Sequence, residues 1–69
     1  MTTFGFRHLS LDQQLEFLRR KGLHLQSLMR GNFIISLYWS EDLVFEVFIL
    51  RNNGNVFEIK CYDRHEYLK

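Results

Sequence analysis

The chain has 69 residues, 46% of them hydrophobic and 16% aromatic, with nine Lys or Arg against eight Asp or Glu. This length predicts a single domain with a thin core, and the near balance of charge argues against binding nucleic acid or anionic membranes through net charge. The one cysteine, Cys61, excludes an internal disulfide. With no signal peptide and no apolar run long enough to cross a bilayer, the expected location is the cytoplasm.

The N-terminal part of the chain predicts an arm followed by one helix. Residues 1–9 form the arm, which we expect to pair as an edge strand or to pack as a flap. In residues 10–21, Ser10 and Gln13 have the spacing of a capping box, and Gly22 suits the left-handed residue that ends a helix. Three leucines spaced by four and three form one apolar stripe: Leu11, Leu15 and Leu18.

Residues 22–62 predict a four-stranded antiparallel sheet. Its apolar runs are "LHLQSLM", "FIISLYW", "LVFEVFIL" and "VFEIKCY", separated by the short turn signals "RGN", "SED" and "NNGN". Connections this short make neighbouring strands antiparallel, in a meander. Residues 63–69 predict a short helical turn that presents Tyr67 and Leu68 to the sheet. The predicted fold class is α+β, with the N-terminal helix packed on the meander.

The register depends on the length of each turn. A three-residue loop at 52–54, with Gly54 in the left-handed position, pairs Glu46 with Lys60. A two-residue loop there would leave the Glu46 carboxylate in the main core, so we expect the three-residue form. The same loop length at "SED" and "RGN" pairs Leu37 with Phe45 and with Leu25. This choice makes the face that the helix covers almost wholly apolar, with Ser27 as the one polar exception.

The opposite face of the predicted sheet, the second face, is unusually apolar for a surface in water. Exposed apolar surface of this extent usually marks contact with another molecule. We expect Glu46 and Lys60 to form a polar row on it that sets the register with a partner. The predicted interface residues are Leu28, Ile34, Tyr38, Val44, Glu46, Phe48, Leu50, Lys60 and Tyr62.

No constellation in the sequence predicts an enzyme, a cofactor site or a metal site. Glu46 beside Lys60 is more typical of a structural cross-strand pair than of a general acid. Cys61, Asp63 and His65 do not have the spacing of a closed zinc site, and Cys61 is expected to face the core.

We therefore predict a non-enzymatic domain that associates with protein, as a homodimer or with a docking partner, through the second face. The alternative is a nucleic-acid accessory module that uses the basic cluster Arg19, Arg20 and Lys21. The position of these basic residues is also explained without any ligand, by a favourable interaction with the negative end of the helix dipole.

Overall fold

A computed structural model describes residues 1–68, so the last position of the predicted C-terminal turn lies outside the described residues. The chain is α+β, with one four-stranded antiparallel sheet in the order β1-β2-β3-β4, as the sequence predicted. The elements are α1 Thr3–Arg7, α2 Leu11–Lys21, β1 Leu23–Arg30, β2 Phe33–Ser40, β3 Leu43–Leu50, β4 Val56–Asp63 and α3 Arg64–Tyr67.

Helix α2 begins with the predicted capping box. The Ser10 hydroxyl accepts from the Gln13 amide at 3.2 Å, and the Gln13 side chain accepts from the Ser10 amide at 2.9 Å. The helix ends differently from the prediction, because Gly22 is extended, with φ −86°, and not left-handed. Glycine is needed there for space, since a Cβ would lie 2.7 Å from the Leu18 carbonyl oxygen.

The N-terminal arm forms the short helix α1 and not an edge strand. Of its two phenylalanines, only Phe6 packs into the core. The Thr2 hydroxyl accepts from the Gly5 amide at 2.9 Å and caps the helix. Phe6 is fully buried, whereas Phe4 on the opposite side is 71% exposed. The Arg7 guanidinium donates to the Cys61 carbonyl at 3.3 Å, so α1 is joined to the outer side of β4.

The main core lies between the two N-terminal helices and strands β3 and β4. Phe6 and Phe45 are its largest fully buried side chains, and their ring centroids are 4.8 Å apart. Phe17 packs against both rings at their edges. The buried cluster consists of Phe6, Leu18, Leu43, Phe45, Val47, Ile59 and Cys61.

The predicted three-residue loops at "RGN" and "SED" are wrong, because both turns hold two residues. Arg30 pairs with Phe33 and Ser40 with Leu43. Gly31 has φ +59°, as the first residue of a type II′ hairpin loop requires, and Glu41 has φ 55°. Shorter turns shift the pairing by one residue, and a shift of one turns every side chain of a strand to the other face.

The side chains of strand β2 therefore lie on the opposite faces of the sheet from those predicted. Leu37 pairs with Glu46 and with Gln26, where Phe45 and Leu25 were expected. A β-bulge between His24 and Gln26 then restores the predicted pairing at the start of β1, where His24 lies opposite Tyr38. The side chains that move to the second face are Phe33, Ile35, Leu37 and Trp39.

The last hairpin has the predicted register over most of its length. Glu46 pairs with Lys60, as expected. A further bulge follows Phe48, so that Ile49 pairs with Val56 where Phe57 was predicted. On the far side of this bulge, the Phe57 ring contacts the Phe33 ring of the second face.

The left-handed backbone at Glu41 generates a stability prediction. A residue with a Cβ costs about 1 kcal/mol in this conformation, a cost that glycine avoids. We expect Glu41→Gly to raise the free energy of unfolding by up to that amount, measured by urea denaturation. Asp42→Gly is the matched control, since φ at Asp42 is not positive and glycine should only destabilise. Equal destabilisation by both substitutions would contradict the assigned turn geometry.

Candidate interaction surface

The second face of the sheet is partly covered by the C-terminal helical turn α3. Glu46 holds this turn in place: one carboxylate oxygen accepts from the Tyr62 hydroxyl at 2.9 Å, and the other accepts from the Tyr67 hydroxyl at 3.2 Å. The Arg64 guanidinium lies 4.3 Å from the centroid of the Trp39 ring, a cation–π contact at the start of the turn. Tyr67 therefore reaches the sheet as predicted.

These contacts change how readily the tyrosines ionise. Burial, together with the hydrogen bond to Glu46 and its negative charge, raises the pKa of Tyr62 to about 12. Burial and the charge of Glu46 also raise the pKa of Tyr67. Both hydroxyls thus remain donors at neutral pH, and the carboxylate is shared between two neutral partners.

Lys60 takes a different role from the one predicted. It pairs with Glu46 in the strand register, but its ammonium nitrogen lies 5.2 Å from the centroid of the Phe48 ring. The one salt bridge in residues 1–68 joins Glu16 and Arg19. Glu46 and Lys60 are cross-strand neighbours without an ion pair.

A small apolar cavity of ≈ 200 Å³ lies between α3 and the sheet. Val44 and Leu37 beneath the turn are buried, with 6% and 9% of their surface exposed. The lining residues are Leu25, Leu37, Trp39, Val44, Arg64, Tyr67 and Leu68. This half of the second face is accordingly occupied by the chain itself.

The other half carries an exposed apolar group that we call the open patch, formed by Leu28, Phe33, Phe48, Leu50 and Phe57. None of its members lines the cavity under α3. The Phe33 ring contacts Phe48 edge-on, with centroids 5.7 Å apart, and lies 5.5 Å from Phe57. Phe57 is 57% exposed, and the other four are half-buried. An aromatic cluster is thus left in contact with water.

Strand β1 borders this patch and is the most exposed element of the sheet. Seven of its eight residues are exposed, among them Leu23, Leu25 and Met29. It forms one edge of the sheet and pairs only with β2. The opposite edge, β4, is covered in part by α1 through the bond from Arg7 to Cys61.

Seven of the nine predicted interface residues lie on the second face. Ile34 and Tyr38 do not, because the observed register of β2 places both on the helix-covered face, where Tyr38 packs against the core. Val44 faces the expected side but is buried under α3. The open patch contains two residues that the prediction missed, Phe33 and Phe57. Gly31, read as the first residue of a type II′ loop, is the sequence signal that could have identified Phe33.

The remaining polar and reactive groups form no evident catalytic constellation among the described residues. On the helix-covered face, the His24 Nε2 lies 2.9 Å from the Ser27 hydroxyl, which in turn lies 2.8 Å from the Ser36 hydroxyl. Burial raises the pKa of the Cys61 thiol to about 11, so it is not a thiolate at neutral pH. Within residues 1–68, no group of three or more His, Cys, Asp or Glu side chains is placed to hold a metal ion.

The basic cluster at the end of α2 is mixed with acidic side chains. The Arg19 guanidinium donates to both carboxylate oxygens of Glu16, at 2.6 and 3.0 Å. Arg20 and Lys21 line a shallow depression whose lining also includes Asp12 and Glu16. The cluster does not form a surface of uniform positive charge.

Comparison of the chain with protein-family models, with curated proteins and with solved structures finds no match. In the part of the chain that the structure describes, no helix is both long enough and apolar enough to span a bilayer.

The raised pKa values predict a loss of stability at alkaline pH. Folding raises the pKa of Cys61 from 9.0 to about 11 and that of Tyr62 from 10.0 to about 12. The protonated forms are favoured in the folded state. This stabilisation is therefore complete at a pH below the pKa values of the unfolded state, and it is lost as the pH rises through the pKa values of the folded state. We expect the urea midpoint to fall across this interval.

Tyr62→Phe should reduce the fall of the urea midpoint at the upper end of this pH interval, because it removes the phenol whose pKa is raised in the folded state. Tyr38→Phe, on the other face of the sheet, is the control and should leave the dependence intact. A wild-type midpoint that does not change across the interval would contradict the assigned role of Glu46 and its tyrosines.

Proposed function

We propose that this protein acts by association with a second copy of itself, and that the open patch takes part in the contact. The observation that supports this proposal is the cluster of phenylalanine rings, exposed at Phe57 and partly exposed at Phe33 and Phe48, beside an area that α3 already covers. Moving a phenylalanine side chain from water to an apolar environment is worth about 1.5–3 kcal/mol. Several such side chains in one patch provide a driving force for association.

The size and charge of the chain favour a second copy as the occupant. A chain of 69 residues with one cysteine has a thin core and no internal disulfide, and oligomerisation is a common source of additional stability for such domains. The formal net charge is +1, so two copies repel each other little. The rim of the patch carries both signs, with Arg30 on β1 at one side and Glu58 and Lys60 on β4 at the other.

The proposed role of Glu46 differs from the one that the sequence suggested. Both of its oxygens accept tyrosine hydroxyls within the same chain, so it fixes α3 and leaves the register with a partner to other groups. The proposed assembly is non-enzymatic and uses no cofactor. We also propose a cytoplasmic location, which the single free cysteine supports.

The proposal is tested by Leu28→Glu, which places a charge at the member of the patch that lies on the edge strand β1. The wild type should show a mass near twice 8.4 kDa at high concentration by light scattering, and the variant should remain at 8.4 kDa. Phe4→Glu is the control, because Phe4 is 71% exposed on α1 and lies away from the patch. Circular dichroism establishes that both variants are folded.

A wild type that is monomeric at every concentration would overturn the proposed self-association. A folded Leu28→Glu variant with an unchanged dimer mass would remove the open patch from the contact.

The nucleic-acid alternative remains a prediction, and no contact in the structure favours it over self-association. Binding would have to be salt-sensitive and to weaken when Arg20 and Lys21 are neutralised. A lack of retention on a phosphate-bearing column at low salt would contradict the nucleic-acid alternative.

A further inference from the structure

The two edges of the sheet differ in how open their backbones are. On β4, the outward Cys61 carbonyl accepts from Arg7, and α1 packs along the strand. On β1, seven of eight residues are exposed, and the strand has no proline, lysine or acidic residue, which are common means of blocking an edge. Of the two edges, β1 is the one open to pairing with another strand.

We propose that two copies join through their β1 strands, antiparallel across a two-fold axis, into one continuous eight-stranded sheet. This inference rests on the proposed self-association and specifies its geometry. A β1 strand from a second copy is the occupant, because the regular part of the strand, residues 26–30, is complementary to itself.

The hairpin geometry determines which backbone groups face outward. The pair that flanks a two-residue loop, here Arg30 and Phe33, exchanges hydrogen bonds, and such pairs alternate along an antiparallel ladder. Leu28 therefore points its amide toward β2, whereas Ser27 and Met29 point theirs away from the sheet. The same alternation on β4 directs the Cys61 carbonyl outward, in agreement with its bond to Arg7.

An axis at Leu28 matches these outward groups. It pairs Ser27 of each copy with Met29 of the other, and each of these two pairs can exchange two backbone hydrogen bonds. The two Leu28 side chains then meet on the second face, while Gln26 lies opposite Arg30. No like charges are placed opposite each other. The bulge between His24 and Gln26 lies beyond the paired segment.

This geometry also explains why β1 is apolar on both faces. Met29 is 65% exposed on the helix-covered side, and Leu28 belongs to the open patch on the other side. A strand with apolar residues on both faces is typical of a sheet interior and not of a free edge. Pairing makes β1 an interior strand and brings the Leu28 side chains of the two copies into contact, with the rest of each open patch beside them on the same face of the sheet.

The available area supports a contact that includes the edge. Four strands of eight residues give a face of about 27 by 19 Å, or about 500 Å², of which α3 occupies part. A standard interface buries about 800 Å² on each partner. The open half of one face is too small to form such an interface alone, which favours a contact in which the β1 edge contributes backbone hydrogen bonds as well.

Amide hydrogen exchange, followed by NMR at protein concentrations above and below the dimerisation midpoint, tests the inference. The amides of Ser27 and Met29 should exchange rapidly in the monomer and become protected in the dimer. The Leu28 amide, which points to β2, is the internal control and should be protected in both. A dimer in which Ser27 and Met29 still exchange rapidly would overturn edge pairing and leave self-association standing.

Met29→Lys provides an independent test because the side chain lies on the face opposite the open patch. A lysine on an edge strand opposes pairing, so we expect the dimer to weaken by about tenfold or more. Phe4→Lys is the matched control and should leave the dimer unchanged. An unchanged dissociation constant in folded Met29→Lys contradicts edge pairing, and a wild type without any dimer defeats both proposals.

Discussion

The arrangement of the whole second face depends on one carboxylate. Glu46 accepts hydrogen bonds from Tyr62 on the neighbouring strand and from Tyr67 on α3, and so fixes α3 across the sheet. Because α3 lies there, the second face can bury Val44 and Leu37, and β2 can direct its largest apolar residues away from the N-terminal helices. Without that cover, the observed register would leave a second apolar layer in water.

The sequence was sufficient to predict the fold class, the capping box of α2 and the pairing of Glu46 with Lys60. These features depend on local spacing and on a turn signal around Gly54 that has a direct physical meaning. The register of β2 was wrong because the prediction extended the three-residue loop of the last hairpin to the turns at "SED" and "RGN", which hold two residues. Glu41 contributed to this error, since a glutamate gives no sign that its backbone will be left-handed.

The candidate site was predictable in location but not in detail. An excess of apolar residues correctly indicated that the second face needs explanation, and Leu28, Phe48 and Leu50 were identified as part of it. The sequence could not show that the face is divided, with one half covered by α3 and the other open. That division depends on tertiary contacts of Glu46, and it leaves the part of the face that borders β1 for the proposed contact with a second copy.

The bond from Arg7 to the Cys61 carbonyl determines how many open edges the molecule has. In the proposed edge pairing, α1 covers part of β4 and leaves β1 as the edge that can add a strand, so that pairing would close after two copies. If α1 were displaced, each copy would offer two different edges, and strand addition could continue without closing, as heterologous contacts do in fibres. Under this proposal, the five-residue helix α1 separates a finite assembly from an open-ended one.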